Sequence, residues 1–113
     1  MLRQLGQLRP ANTTAASVFT PTVAGEYRIK AILIANVSGS AALAGIYHDK
    51  DGTTYDESTA IVFGKSIATA DYLHLTFKDG IGDYLALGNL GVKTSVNSAL
   101  TFTVYGEILG EEL

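Results

Sequence analysis

Residues 100–108 read LTFTVYGEI, and this stretch decides the fold class. Its first apolar side chains, Leu100, Phe102 and Val104, alternate with threonine and tyrosine. Successive side chains of a β-strand point to opposite faces, so a period of two indicates a strand with one buried face. We therefore predict a strand here, with the leucine, the phenylalanine and the valine in a core.

The same period recurs along most of the chain. Further strand candidates are residues 16–20, 27–37, 43–48, 61–67, 73–77, 85–87 and 92–96. About eight strands at spacings of roughly 8–12 residues are typical of a sandwich or a barrel. Helical spacing of apolar residues is interrupted by Gly or Thr, and the dipeptides Asp51-Gly52 and Asp79-Gly80 favour tight hairpin turns. The prediction is an all-β fold, a two-sheet antiparallel sandwich.

The composition limits the classes of partner. The chain has 113 residues, enough for one domain, and only 17% of them are charged, which is low for a globular protein. Lysine and arginine are scattered singly and the net charge is −3, so no basic stripe is present to bind nucleic acid or anionic lipid. The apolar run at residues 31–35 is far too short to span a membrane. We expect neither nucleic acid nor a membrane as a partner.

Metal binding is not predicted. The chain has no cysteine, which excludes thiolate zinc sites and disulfides. The acidic stretch HDKDGTTYDE at residues 48–57 invites comparison with a calcium loop. With Gly52 at the sixth loop position, however, Tyr47 and Ser58 fall where the first and last acidic ligands belong. We interpret the stretch as a charged hairpin tip, and whether it binds a cation or a partner is left open.

Catalytic motifs are also missing, so we predict no catalytic residue, no cofactor and no enzymatic activity. Gly64-Lys65-Ser66 matches the end of a phosphate-binding loop but lacks the first glycine of that motif, and no helix is expected after it. There is no nucleophile-elbow sequence and no cysteine nucleophile. His48 and His74 are the only histidines, and neither belongs to a recognisable catalytic set.

One strand candidate is apolar on both faces. Ile29, Ala31 and Leu33 fall on one face, and Ile32 and Ile34 fall on the other. Each sheet of an antiparallel sandwich normally has one face on the core and the other in solvent. The second apolar face of this strand therefore needs other residues to cover it. That cover is either a loop or the N-terminal segment of the same chain, or it is another subunit, because exposed apolar patches mark association sites.

The second of these alternatives gives a candidate interface. Tyr72 and His74 share the face of a later strand that is opposite to its core residues. Tyrosine supplies both area and a hydroxyl group at protein interfaces. The candidate interface, with another copy of the chain or with a partner protein, consists of Ile32, Ile34, Tyr72 and His74.

The start of the chain has the pattern of an extended arm. Three leucines among residues 1–14 are separated by polar residues and glycine, and a proline and a polar run follow. Such a segment is either the first strand of the domain or an arm that lies over a neighbour and adds a strand there. We predict the arm at residues 1–14 and a single sandwich domain at residues 15–113. Its candidate partner-binding residues are Leu2, Leu5, Leu8 and Arg9.

Several short segments, taken in order, resemble one family of proteins. These are Leu5-Gly6-Gln7, Pro10 to Thr14, Val18-Phe19-Thr20, Val23 to Gly25, Ile29 to Asn36, Ile67 to Asp71, Gly82-Asp83 and Leu100 to Glu107. The pattern resembles the small virion proteins of tailed bacteriophages, of the capsid decoration or cement type.

The resemblance implies a jelly-roll-like sandwich on the outside of the phage head. Such a protein is made in the host cytoplasm, assembles as a homodimer or homotrimer, and clamps neighbouring copies of the major capsid protein. The same class includes tail and fibre accessory modules, so a module that binds a carbohydrate or a receptor is the alternative.

Overall fold

The computed structural model describes residues 2–19, 26–49, 52–82 and 89–109, and these residues form eight β-strands and no helix. The strands are β1 (Arg3–Leu8), β2 (Ala16–Phe19), β3 (Glu26–Asn36), β4 (Ala42–Asp49), β5 (Ala60–Ile67), β6 (Tyr72–Gly82), β7 (Asn89–Thr94) and β8 (Leu100–Leu109). The predicted all-β sandwich of about eight strands is confirmed. The strand candidate at residues 85–87 lies outside the described residues.

The strands form two four-stranded antiparallel sheets. Sheet A has the order β1-β8-β3-β6 and sheet B has the order β2-β7-β4-β5. The first strand therefore pairs with the last, the second with the seventh, the third with the sixth and the fourth with the fifth. A chain folded in half in this way and then rolled into two sheets is a jelly roll. The predicted jelly-roll-like architecture is confirmed.

The core lies between the inner faces of the two sheets. Its largest fully buried side chains are Phe102, Ile29, Ile32, Ile34, Ile46, Leu90, Leu100, Val92, Val104 and Thr94. In β8 the buried residues Leu100, Phe102 and Val104 alternate with outward-facing threonine and tyrosine. Residues 100–108 thus form the strand that their period of two predicted.

Strand β3 changes its inward set at a β-bulge. The register against both neighbouring strands shifts between Ile29 and Ala31. One extra residue moves every following side chain to the opposite face. Ile32 and Ile34 consequently lie in the core with no exposed surface. Their predicted place in a subunit interface is wrong, because the prediction carried an unbroken period of two through the bulge.

The apolar character of both faces of β3 is nevertheless confirmed. Ala31, Leu33 and Ala35 lie on the outer face and are half-buried. On β6 their cross-strand neighbours are Thr76, His74 and Tyr72, respectively.

The dipeptide Asp79-Gly80 is a bulge rather than a hairpin turn. Strand β6 runs through it, and the β6 partners of β3 jump from Thr76 to Ile81. Gly80 has a φ of 78°, a conformation that glycine adopts without strain. The positive φ expected of this dipeptide is present, but the predicted hairpin is wrong. Asp51, of the other dipeptide, lies outside the described residues.

The N-terminal segment belongs to the sandwich. Strand β1 pairs with β8 of the same chain, and Leu5 and Leu8 pack against the core. Arg9 Nε donates to the carbonyl oxygen of Ser98 at 2.8 Å. The prediction of a separate arm at residues 1–14 is therefore wrong, and so is a domain that begins at residue 15. Leu5 and Leu8 are three residues apart, and both reach the core in a strand whose register shifts between Gln4 and Gly6. Leu2, 59% exposed, is not among the residues packed against the core.

Gly6 is the closest point between β1 and the opposite sheet. A Cβ atom on Gly6 would lie 2.1 Å from the carbonyl oxygen of Val18 in β2. Only a residue without a side chain permits this approach of two backbones. Sheet A is thereby closed onto sheet B at this corner of the sandwich.

The buried side-chain amide of Asn36 fixes the C-terminal end of β3. The side-chain nitrogen of Asn36 donates to the carbonyl oxygens of Ser40 and Ile67, each at 2.9 Å. Its side-chain oxygen accepts from the backbone nitrogen and the hydroxyl of Ser38, each at 2.9 Å. The side chain thus joins sheet A to the β3–β4 turn and to the end of β5 in sheet B.

We expect Gly6→Ala to lower the free energy of unfolding by about 2 kcal/mol or more, since the new methyl group forces the two backbones apart. The measurement is urea denaturation followed by circular dichroism. Gly39→Ala is the matched control, because nothing lies within 4 Å of a Cβ atom there, and its effect should stay within about 0.5 kcal/mol. Equal stability of the two variants would contradict the placement of β1 in the sandwich.

Candidate functional site

The outer face of sheet B carries the most conspicuous exposed apolar group. Phe63 is 63% exposed and Leu43 is 47% exposed. On β4 the outward positions are Leu43, Gly45 and Tyr47, and Phe63 of β5 is the cross-strand neighbour of Gly45. We call Leu43, Gly45, Tyr47 and Phe63 the sheet B patch. Large apolar side chains gathered at one place on a surface mark a contact site.

A cleft of about 230 Å³ lies within this patch. Gly45 forms its floor, and a Cβ atom there would lie 2.9 Å from the hydroxyl oxygen of Tyr47. Phe63 and Lys93 flank Gly45, since each is its cross-strand partner on one side. The lining residues are Leu43, Ala44, Gly45, Tyr47, Phe63, Gly64, Lys93 and Ser95. The Tyr47 side chain lies over Gly45, in the space that a side chain there would need, and forms one side of the cleft.

The polar groups of the cleft are hydrogen-bond donors. Ser95 Oγ accepts from the backbone nitrogen of Leu43 at 2.7 Å, so its own hydroxyl proton is left to donate. Within the part of the chain that the structure describes, neither the Tyr47 hydroxyl nor the Lys93 ammonium has a hydrogen-bond or ion-pair partner. Tyr47 as a whole is only 4% exposed. Among the described residues, every fully buried side-chain polar atom has a hydrogen-bond partner, so an oxygen without a partner is not fully buried. The Tyr47 hydroxyl therefore reaches solvent, and it does so at the cleft.

The β4–β5 hairpin packs onto the outer face of sheet B and is hydrogen-bonded there. The ring of Tyr55 lies against Gly91 of β7, where a Cβ atom would come within 2.4 Å of the ring. The Tyr55 hydroxyl donates to Asn89 Oδ1, and Asn89 Nδ2 donates to the carbonyl oxygen of Gly52 at 2.9 Å. The rings of Tyr47 and Tyr55 are 6.0 Å apart. The hairpin thus supports the wall of the cleft.

The acidic residues of the hairpin order its backbone. Asp49 Oδ2 accepts from the backbone nitrogen of Thr54, and Asp56 Oδ1 accepts from the backbone nitrogen of Ser58, both at 2.8 Å. The described residues hold no group of three or more His, Asp or Glu that could bind a metal ion. Two carboxylates of the acidic stretch that sequence reasoning singled out, those of Asp49 and Asp56, are thus engaged with the chain itself.

Burial and charge keep both tyrosines protonated. Burial is the main cause that raises the pKa of Tyr47, and the carboxylates of Glu57 and Asp56 add to it. Burial also raises the pKa of Tyr55, against the opposing effect of its hydrogen bonds with Ser17 and Asn89. The Tyr47 hydroxyl is consequently a donor over the whole range of ordinary pH.

The outer face of sheet A holds two of the predicted interface residues. Tyr72 is 65% exposed and His74 is also exposed. They lie beside Ala35 and Leu33, their partners on β3. We call Ala31, Leu33, Ala35, Tyr72 and His74 the sheet A stripe. The structure brings Tyr72 and His74 together with an apolar strip; their role in an interface stays a prediction.

Sequence reasoning missed the sheet B patch. A signal was present, because Leu43 lies between two apolar residues and Tyr47 follows Ile46. This strand is apolar on both faces, as β3 is. The positive φ of Gly64, 71°, and the register shifts of β5 interrupt the alternation that would have placed Phe63 on the outer face.

Comparison with models of known protein families and with curated protein sequences finds no match to the chain. Among the described residues there is no helix of the length and apolar character that crossing a membrane requires.

The free energy of unfolding is expected to fall as the pH rises above about 10. The pKa values of Tyr47 and Tyr55 are raised in the folded chain from the ordinary value of 10.0. Their stabilising contribution is therefore complete below the unfolded-state pKa and is lost as the pH rises through the folded-state pKa. Urea denaturation near neutral pH and at about pH 11 measures the loss.

The control for this prediction is the double variant Tyr47→Phe, Tyr55→Phe, which has no phenol at either site. Its stability should change less over the same pH interval. An equal change in the double variant and in the unchanged chain would contradict the assignment of the effect to these two tyrosines.

Proposed function

We propose that this chain is a non-enzymatic virion protein that decorates the outside of a bacteriophage head and stabilises contacts between major capsid subunits. The observation that carries the proposal is the sheet B patch, with Phe63 63% and Leu43 47% exposed on a sandwich whose own core is complete. Exposed apolar side chains of this kind mark a surface that is buried in contact with another protein. The resemblance in sequence to decoration proteins supports the same role.

The fold is compatible with this function. Jelly rolls recur in viral capsid proteins, in lectins and in cupins, so the fold by itself supports several roles. The low share of charged residues, 17%, suits a surface that is largely covered in an assembly.

The sheet edges favour association through faces rather than through added strands. At the β5 edge, Gly64 with its φ of 71° is followed by the exposed Lys65. The β6 edge is interrupted by the bulge at Gly80, and the β1 edge by the register shift between Gln4 and Gly6. The remaining edge strand, β2, has only four residues. Bulges, lysines and short strands at an edge hinder pairing with another chain. The two outer faces are then the surfaces left for partners.

We assign one face to each partner. The sheet B patch contacts the major capsid protein, and the sheet A stripe joins copies of this chain into a homodimer or homotrimer. Each copy buries only a modest apolar area, and the symmetry of the shell multiplies the effect. In this mechanism the chain is made in the host cytoplasm, binds the finished capsid surface without covalent bonds, and needs no cofactor.

A tail or fibre module that binds a carbohydrate is the alternative. The observation that favours it is the cleft, where Tyr47 and Phe63 lie beside the polar groups of Lys93 and Ser95. Aromatic walls with a few polar groups are typical of small-ligand sites.

Phe63→Ser is expected to weaken binding to phage heads that lack the chain by about tenfold or more, since burying an aromatic side chain contributes about 1.5–3 kcal/mol. The measurement is co-sedimentation with the heads over a range of protein concentrations. Val37→Ser is the control, because Val37 is an apolar residue with 51% exposure outside the patch. Binding that is unchanged in Phe63→Ser would overturn the assignment of this face to the capsid.

Leu33→Asp is expected to give a monomer, because a carboxylate at the middle of the sheet A stripe must be desolvated on association. Light scattering measures the mass, and circular dichroism checks that the variant is folded. Leu2→Asp, at a position 59% exposed at the start of the chain, is the control. An unchanged mass of a folded Leu33→Asp variant would remove the stripe from the oligomer interface.

A further inference from the structure

The lining of the sheet B cleft is strongly biased towards hydrogen-bond donors. Its polar side chains are those of Tyr47, Lys93 and Ser95, and the lining includes no Asp, Glu, Asn or Gln. The Ser95 oxygen already accepts a hydrogen bond from the chain. An ammonium group can only donate, and the Tyr47 phenol stays protonated because its pKa is raised. A ligand that offers acceptors can therefore bind all three groups at once.

Lys93 supplies a positive charge that the described chain does not neutralise. Its ammonium group has no ion-pair partner in the residues that the structure describes, although the chain as a whole carries a net charge of −3. Lys93 is exposed and lies beside Phe63, Leu43 and the Tyr47 ring. Its attraction for an anion strengthens when a bound partner covers these apolar groups and displaces the water around the ammonium. The carboxylates of Glu57 and Asp56 act on the Tyr47 side of the cleft. The positive charge is therefore concentrated at Lys93, the one charged residue of the lining, and this part of the cleft favours a carboxylate.

The size and the rim of the cleft limit the rest of the ligand. At about 230 Å³ it is smaller than the pockets that hold drug-sized molecules, about 300–1,000 Å³. Phe63 and Leu43, exposed at its rim, offer apolar contact rather than further polar contact. One side chain that bears a carboxylate, with an apolar neighbour against the rim, matches these dimensions.

We propose that the cleft binds an Asp or Glu side chain of the partner protein, presented next to an apolar residue that packs on Phe63 and Leu43. This inference rests on the proposed function and names the chemistry by which the partner is recognised. The carboxylate accepts from Lys93 and from the Tyr47 hydroxyl. A neutral sugar fits less well, because its hydroxyl protons need acceptors that the side chains of the lining scarcely provide.

The first test measures binding to phage heads that lack the chain, at low and at high ionic strength. Lys93→Met keeps the length and the apolar stem of the side chain but removes the charge. It should weaken binding at low ionic strength by about tenfold and flatten the dependence on salt. Lys65→Met is the matched control, since Lys65 is an exposed lysine of β5 that is not part of the cleft.

The outcomes separate this inference from the proposed function. If Phe63→Ser loses binding while Lys93→Met binds as the unchanged chain does at both ionic strengths, the carboxylate is overturned and the capsid-binding face stands. If neither variant loses binding, the capsid-binding face is overturned as well.

A second test uses small probes and requires no partner. Hexanoate, a carboxylate with an apolar body, should shift the backbone amide resonances of Gly45 and Phe63 in two-dimensional NMR spectra. Hexanamide and methyl glucoside should leave them in place, and Lys93→Met should abolish the effect of hexanoate. Shifts caused by methyl glucoside, or none caused by hexanoate, would overturn the proposed ligand.

Discussion

The central strands β3 and β4 depend on the buried side chain of Asn36, because it holds the connection through which the chain crosses between them from one sheet to the other. All of its hydrogen-bonding capacity is used inside the chain, on the turn after β3 and on the last residue of β5. A buried amide with every partner in place is stabilising, whereas the loss of it leaves buried carbonyl groups unpaired. This crossing helps to fix how β3 and β4 face each other across the core. Together with the bulge in β3 it sets which of their residues are turned inward and which are left for partners.

The fold class could be predicted from the sequence because hydrophobic periodicity reports it directly. Strand β8 has an unbroken period and was assigned in full, whereas β3 has a bulge, and its inward residues after the bulge were assigned to the wrong face. A bulge adds one residue without changing the composition, so the period alone does not reveal it. The arm at residues 1–14 failed for a different reason. Leucines that cover a core and leucines that cover a neighbour have the same spacing, and only the pairing of β1 with β8 distinguishes them.

The candidate site was largely beyond the reach of sequence reasoning. At its centre is Gly45, whose missing side chain lets the Tyr47 side chain lie against the strand. The groups around Gly45 come from β4, β5 and the end of β7, and their approach follows from the order of the strands in sheet B. Lys93 looked like one more scattered cation. Only the cross-strand register places it opposite Phe63, on the other side of the glycine.

The pairing of β1 with β8 has a consequence for the timing of folding. Contacts between residues far apart in the chain form late and slow folding, because the intervening loop must first be closed. The strand that begins at Arg3 gains its only partner in sheet A when residues up to Gly106 have been synthesised. Until then Leu5 and Leu8 have no strand beside them to complete the core. A ribosome must therefore extrude the chain through most of β8 before the sandwich can close, and shorter nascent chains expose the same leucines that the folded domain conceals.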